Sequence, residues 1–378
     1  MEHCPAFLLP LAVRGQRDHS LHPKNLLHRS SQPSQAVPQT KRRCRHFTIT
    51  ASTTNPSQPS PSPPTTPLVI PDPTAAASEI SSSKNDIIWE IDFYSRPVLD
   101  SRRKKIWELI IVDSQNTFQH IEQVPNSAVN SKELRKRVQK VMDECDVEDR
   151  PRMIRYFRAE MGNMIRIGLE GIGLVVKPSR RSYALIRLVK QREREVYPEM
   201  VGYDESIARM SRTTAGVGVG SALSVGMGGM PDRMPDAMRG EQFVFTQLGL
   251  EEIEGFFEES DVSDYFGEKC LVDEDMDRGV SIPGLCILSE RAKGVAAWTS
   301  GSEIVYIKAK LQTKNITFEC GTRTSYLLAK VDKELKDDAK KFEELKTKAG
   351  GLHFLSIQDR KNPELVEGFW LLRDIEML

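Results

Sequence analysis

Four acids in the first apolar runs of the sequence could do metal chemistry. Glu90 and Asp92 sit two apart in Ile87-Ile88-Trp89-Glu90-Ile91-Asp92-Phe93, and Glu108 and Glu122 lie in the next two runs. Strand alternation puts Glu90 and Asp92 on one face with Ile88, opposite Trp89, Ile91 and Phe93. Carboxylates gathered from neighbouring strands can hold two divalent metals for in-line phosphodiester cleavage. A metal-dependent nuclease using Asp92 is therefore one reading. The other is a solvated sheet face of acids paired with the many arginines.

Basic groups offer a different chemistry. Arg96, Arg102, Arg103, Lys104 and Lys105 crowd one connection, and Lys132, Lys136 and Lys140 recur at helical spacing opposite an apolar face. Arg152, Arg155 and Arg158 follow, then Arg180, Arg181, Arg187, Lys190, Arg192 and Arg194. Such groups neutralise phosphates, and Tyr94, Tyr156 and Phe157 nearby could stack on unpaired bases. An ordinary charged surface is the plainer alternative, since Asp143, Glu144, Asp146, Glu148 and Asp149 lie close by.

Other chemistries find little material. Beyond residue 74 there remain two histidines, His120 and His353, and four cysteines, Cys145, Cys270, Cys286 and Cys320, with no C-x-x-C pair. Zinc ribbons, thioredoxin-like sites and histidine-assisted nucleophiles are unsupported. Gly216 and Gly218 begin a G-x-G, but Ser221 stands where a dinucleotide fingerprint needs its third glycine, and no strand precedes it. No apolar run approaches the roughly eighteen residues of a membrane-spanning helix.

The 378 residues carry 53 basic and 53 acidic side chains, and the balance is uneven along the chain. Residues 84–212 hold 25 basic against 20 acidic groups and residues 213–378 hold 20 against 29, so a uniform nucleic-acid-binding coat is excluded and any such site is local. Thirteen of the 22 prolines fall in residues 1–73, where acids are scarce and Ser and Arg are common. That composition predicts a plastid transit peptide over 1–50 and a disordered Pro/Ser-rich linker over 51–84.

The elements that must position these groups read as α/β. Strands are expected at 87–93, 106–112 and 117–124. A helix follows whose start is marked by Asn130-Ser131-Lys132-Glu133 and whose apolar face is Leu134, Val138, Val141 and Met142. A strand at 152–158, a helix at 161–170, a strand at 172–177 and a helix at 179–196 complete the order βββαβαβα of a ribonuclease-H-like fold in a first domain, 85–210. A Gly/Met-rich linker over 211–240 leads to a second mixed-sheet α/β domain, 241–378. There, 243–257 reads as helical or mixed and the acidic stretch 261–277 as a loop. Strands are expected at 284–289, 294–299, 303–310, 315–320 and 352–358, and a helix at 332–348. The terminal Trp370-Leu371-Leu372 reads as a core-packing tail.

Several stretches in their order are similar to one family. They are Trp89-Glu90-Ile91-Asp92-Phe93-Tyr94-Ser95-Arg96-Pro97-Val98-Leu99-Asp100 with Lys105-Ile106-Trp107-Glu108-Leu109, then Pro283-Gly284-Leu285, Ala296-Ala297-Trp298-Thr299-Ser300-Gly301, Phe342-Glu343-Glu344, Gly351-Leu352-His353-Phe354-Leu355 and Gly368-Phe369-Trp370-Leu371-Leu372. Together the chain resembles the Tab-two-like family of chloroplast RNA-binding translation factors. The resemblance implies a non-enzymatic factor, needing no cofactor, that binds single-stranded regions of plastid messenger RNA at an A/U-rich 5′ leader. It implies promotion of photosystem reaction-centre synthesis for photosystems I and II, in the stroma or peripheral to the thylakoid, with the ribosome or other translation factors as partners. It also associates Trp370, Leu371 and Leu372 with RNA binding, either by touching bases or by locking the second domain into shape. The Gly/Met-rich 211–240 and acidic 273–277 stretches depart from the family pattern and suggest a paralogue. The basic residues Arg102, Arg103, Lys104, Lys105, Lys132, Lys136 and Lys140 are the expected phosphate contacts. A protein-binding assembly factor, docking a basic partner through the acidic second half, is the rival.

Overall fold

The computed structural model describes residues 87–212, 230–259 and 265–378; the expected transit peptide, the linker 51–84 and the glycine tract 213–229 lie outside them. The chain opens with β1 (Ile88–Leu99), β2 (Lys105–Asp113) and β3 (Gln119–Val124), an antiparallel meander. Helix α1 (Ser131–Glu144) starts where expected, because the Asn130 side chain accepts a hydrogen bond from the Glu133 N–H at 2.9 Å. Its buried stripe is Leu134, Val138, Val141 and Met142. Then come β4 (Met153–Tyr156), α2 (Gly162–Leu169), β5 (Val175–Pro178), α3 (Tyr183–Glu195) and α4 (Glu205–Arg212). The sheet runs β3-β2-β1-β4-β5, with β4 and β5 parallel to β1, the mixed arrangement anticipated for the first half.

Beyond the glycine tract lie β6 (Asp232–Arg233), β7 (Gln242–Gly249), α5 (Leu250–Glu259), β8 (Phe266–Glu268), β9 (Ser281–Ser289) and α6 (Ala292–Gly301). They are followed by β10 (Ile304–Lys310), β11 (Asn315–Cys320), β12 (Thr324–Lys330), α7 (Lys336–Lys348), β13 (Leu352–Asp359) and β14 (Val366–Arg373). Five strands form one sheet in the order β7-β9-β13-β14-β8, and four form another, β10-β11-β12-β6. Some expectations are corrected. Residues 294–299 are helical, because Ala292, Val295, Ala296 and Thr299 fall on one buried face at helical spacing. The stretch 243–257 splits into strand and helix at Gly249-Leu250. The acidic stretch 261–277 is not all loop, since it contributes β8, and residues 230–240, read as linker, contribute β6, held by buried Met234.

Three apolar cores separate the layers. One face of the first sheet, with Trp89, Ile91, Phe93, Leu109 and Ile111, packs on α1 and α2. The opposite face, through Ile110 and Val112, shares a core with α3, α5 and the five-stranded sheet, including Phe354, Phe369 and Leu371. The far side of that sheet, with Leu285, Leu355, Trp370 and Leu372, packs on α6, α7 and the four-stranded sheet. The two halves are thus joined through a continuous interior.

Polar groups cross the same junction. Arg155 on β4 meets Glu268 on β8 through two bonds, at 2.7 and 2.8 Å, and Glu303 through its Nε at 2.9 Å. Arg181 donates to the Ile304 and Glu268 carbonyls at 3.1 Å and to the Leu371 carbonyl at 3.5 Å. Lys177 reaches Glu303 at 3.0 Å. Burial opposes ionisation of Glu268, but the guanidiniums of Arg155 and Arg181 prevail and bring its carboxyl down to about 2. Glu268→Gln leaves two buried guanidiniums short of a counter-charge, and urea unfolding is expected to show a loss of about 3 kcal/mol at neutral pH. An unchanged midpoint would mean the cluster contributes no docking energy.

Candidate nucleic-acid interface

Three of the four acids that could have held metals are interior. Glu90, Asp92 and Glu108 are each 1% exposed. Asp92 receives Arg96 at 2.9 Å and Arg158 at 2.8 Å on separate oxygens. Glu108 receives Arg96, Arg192 and the Tyr197 hydroxyl at 3.1, 2.8 and 2.7 Å. Burial alone would raise the Asp92 carboxyl; Arg158 and Arg96 hold it below its usual value. Glu90 instead accepts the Leu185 N–H at 2.8 Å, and burial pushes its carboxyl up to about 8. Glu122 lies on β3 with Arg137. Asp92 is therefore a counter-ion with both oxygens engaged, and the face expected to be solvated is covered by α3 and the second half. Among the described residues no three His, Cys, Asp or Glu side chains converge in a metal-binding group.

The basic residues divide sharply. Arg96, Arg155, Arg158, Arg180 and Arg181 are at most 3% exposed, so the sequence expectation that they meet phosphates is corrected: they meet carboxylates and carbonyls. Tyr156 and Phe157 are likewise buried and cannot stack on a base, whereas Tyr94 is half-exposed.

Arg152, Arg187 and Arg194 stay exposed on other parts of the surface, and two further exposed groups lie beside each other. Arg102, Arg103 and Lys104 are exposed on the turn between β1 and β2, and Lys105 is half-exposed as β2 begins. Asp100 builds this turn: its Oδ1 accepts the N–H groups of Arg102 and Lys104 at 2.9 and 2.8 Å, and its carbonyl accepts the Arg103 N–H. Arg103 takes a left-handed backbone at φ 60°, a conformation that favours glycine. The Leu99 N–H donates to the Gly202 carbonyl at 2.7 Å, fixing the turn to the segment after α3.

On α1, Lys132, Lys136 and Lys140 are exposed. Only Lys140 among them has a carboxylate in reach within the described residues, Glu144 at 3.7 Å, a wet surface pair of little strength. The other cations of α1 are occupied. Arg135 caps α2 through the Gly168, Ile167 and Glu170 carbonyls, and Arg137 pairs with Glu122 and Glu133. The Asn126 side chain donates to the Lys105 carbonyl at 3.1 Å, which brings the approach to α1 beside the start of β2. The basic turn and the lysine stripe thus meet at one end of the first sheet.

Trp370, Leu371 and Leu372 are not brought to that surface. They are 3%, 0% and 0% exposed in β14, between β13 and β8. Trp370 and Leu372 enter the far core and Leu371 the shared one. Trp370 lies over Gly368, where any Cβ would come within 2.6 Å of the indole. Sequence reasoning missed Glu268 and Glu303, which anchor the junction; Arg180-Arg181 is the one signal in the sequence that pointed to it.

Comparison with known proteins adds two family matches. Residues 88–192 match the N-terminal family described as RNA-binding protein Tab2/Atab2, and residues 224–373 match its C-terminal domain. The chain is 31% identical over 318 residues to a chloroplastic TAB2 homologue of Arabidopsis thaliana, covering 82% of this chain and 79% of that protein. It is 32% identical over 292 residues to a Zea mays homologue of the same name, 76% and 71% of the two chains. A chain of a simian T-cell lymphotropic virus intasome complex aligns at 13% identity over 31% of this chain and 44% of that one, with a TM-score of 0.20, too low to carry an argument.

Glu90 makes the interior sensitive to alkali. With its folded pKa raised to about 8, its contribution is full below the unfolded value of 4.5 and is lost as pH rises through 8. Glu90→Gln keeps the acceptor for Leu185 and cannot ionise. Urea midpoints are therefore expected to fall between pH 5.5 and 8.5 in the wild type by more than in the variant; parallel curves would refute this account of Glu90.

Proposed function

This chain belongs to the Tab2-like family of RNA-binding proteins, and we propose that it promotes translation of plastid messages for photosystem reaction-centre proteins. It is a chloroplast RNA-binding protein. The finer reading is that it holds an A/U-rich, single-stranded 5′ leader and leaves it accessible to the ribosome, without catalysing a reaction.

One observation carries this reading: an exposed basic turn and an exposed lysine stripe lie beside each other at one end of the first sheet, while the buried arginines are matched internally. Arg102, Arg103, Lys104, Lys105, Lys132, Lys136 and Lys140 are the phosphate contacts in this account. They supply affinity without sequence information, as backbone contacts do. A left-handed arginine at the tip of the turn fits the same reading, since an arginine held where glycine fits more easily points to use of its side chain. Trp370-Leu371-Leu372 supports RNA binding as scaffold. Buried on both faces of the five-stranded sheet, it sets the shape of the second half and, through the Leu371 carbonyl, its seat on Arg181.

The test is RNA affinity at several salt concentrations. The triple variant Lys132→Gln/Lys136→Gln/Lys140→Gln is expected to weaken binding of a single-stranded plastid leader and to flatten the slope of log K against log salt by about 2, with an unchanged melt. An unaltered slope removes α1 from the interface. Trp370→Ala is expected to lower stability by about 3–5 kcal/mol and to weaken RNA binding only along with that loss. Weakened binding with an intact melt would restore direct contact.

A further inference from the structure

We propose that Tyr94 and Trp107 form a stacking site for one unpaired nucleobase, set between the basic turn and α1. This deepens the RNA-binding reading above and rests on it. The two rings lie 5.8 Å apart with planes inclined by 57°, and both residues are half-exposed, whereas Trp89 and Trp370 are in the core. Each ring is braced from within. The Arg158 guanidinium lies 4.2 Å from the Tyr94 ring centre and is itself held by Asp92 at 2.8 Å. Phe93, fully buried, lies 5.8 Å from Trp107. A partly exposed aromatic pair whose inner sides are fixed gives a base a π-surface at small entropic cost.

Position selects the occupant. Trp107 stands two residues after Lys105 on β2, hence on the same face of that strand, and opposite Val124 on β3. From Val124 the chain passes Asn126, which bonds the Lys105 carbonyl, and Val129, which packs on the same core as both rings, before reaching Lys132. The aromatic pair therefore has Lys105 beside it on the strand, and the helix that carries Lys132 begins close by. Lys105 and Lys132 have no carboxylate partner among the described residues. Stacking surface beside phosphate-binding charge fits a single-stranded polynucleotide, because a base inside a duplex cannot present its face to a side chain. The second half packs on α3 and on Ile110 and Val112 of the first sheet, and neither Tyr94 nor Trp107 belongs to that shared core.

The experiment compares two ligands of equal charge on the full chain: an RNA of about twelve nucleotides, and an abasic ribose-phosphate strand of the same length. The wild type is expected to prefer the RNA by about tenfold. Tyr94→Leu and Trp107→Leu keep apolar bulk, and each is expected to shrink that preference severalfold while abasic binding stays as in the wild type. Retention of the full preference in both variants overturns the stacking site. Equal binding of both ligands by the wild type overturns it too, but leaves the phosphate contacts standing; binding of neither ligand sinks the RNA reading of this surface as a whole. Should Trp107→Leu fail to fold, Tyr94→Leu and photo-crosslinking of thiouridine-bearing RNA to the wild type decide the matter. Crosslinks are expected on the peptide carrying Tyr94 or Trp107, and crosslinks confined elsewhere count against the proposal.

Discussion

A guanidinium withdrawn from water must find an anion or a ring of carbonyl oxygens, and in this protein that requirement organises the interior. The cost of desolvating an arginine is met only when geometry and hydrogen bonds are good. Here Asp92 and Glu108 provide them from the same or a neighbouring strand, and Glu268, Glu303 and Glu319 from elements more than a hundred residues away. The apolar cores could tolerate small shifts of one sheet over another. The bidentate Arg155–Glu268 pair cannot, because its two parallel bonds fix angle as well as distance. Such pairs add little net energy over an apolar replacement, and their contribution here is to define one relative seating of the two halves.

That internal matching also explains why a nearly neutral protein can present a basic surface. With net charge zero, most cations and anions cancel. Arg135 and Arg137 on α1 are drawn into capping and ion pairs, and among the described residues Lys132 and Lys136 of the same helix have no carboxylate partner. The division follows the chemistry of the two side chains. Arginine, with a planar fork, suits fixed carbonyl and carboxylate partners, whereas lysine, a hydrated point charge on a flexible stem, suits a mobile phosphate backbone. The basic end of the first sheet is built from cations that the interior has not taken.

How much of this could be read in advance depended on sequence separation. The meander, α1 with its Asn130 cap, and the mixed order of the first half follow from local patterns and were legible. Helix α6 was misread because Val295-Ala296-Ala297-Trp298 looks like a short apolar strand until its burial at three- and four-residue spacing is seen. β8 is three residues long inside an acidic stretch and owes its existence to β14, a hundred residues later. The exposed basic residues of the turn and α1 could be named, since their spacing sets them on a turn and on the helix face opposite the apolar stripe. The fate of Arg155 and Arg158 could not, because their partners lie 148 and 66 residues away. The terminal tripeptide shows the same limit: its apolar character favoured burial, but only the sheet order reveals that both of its faces are covered.

The core shared by the two halves has a consequence for how the chain is made. Synthesis runs from the first half to the second, so Ile110, Val112 and the inner side of α3 are complete long before Phe354, Phe369 and Leu371 exist to cover them. The same delay leaves Arg155 without Glu268 and Glu303. A newborn first half therefore carries an open apolar face studded with uncompensated charge, the kind of transient species that aggregates unless it is shielded. The long-range pairings that finish the fold also make its closure slow. Demand for a holding chaperone is thus built into the order of the elements, and it should be strongest in the interval between completion of α3 and arrival of β14.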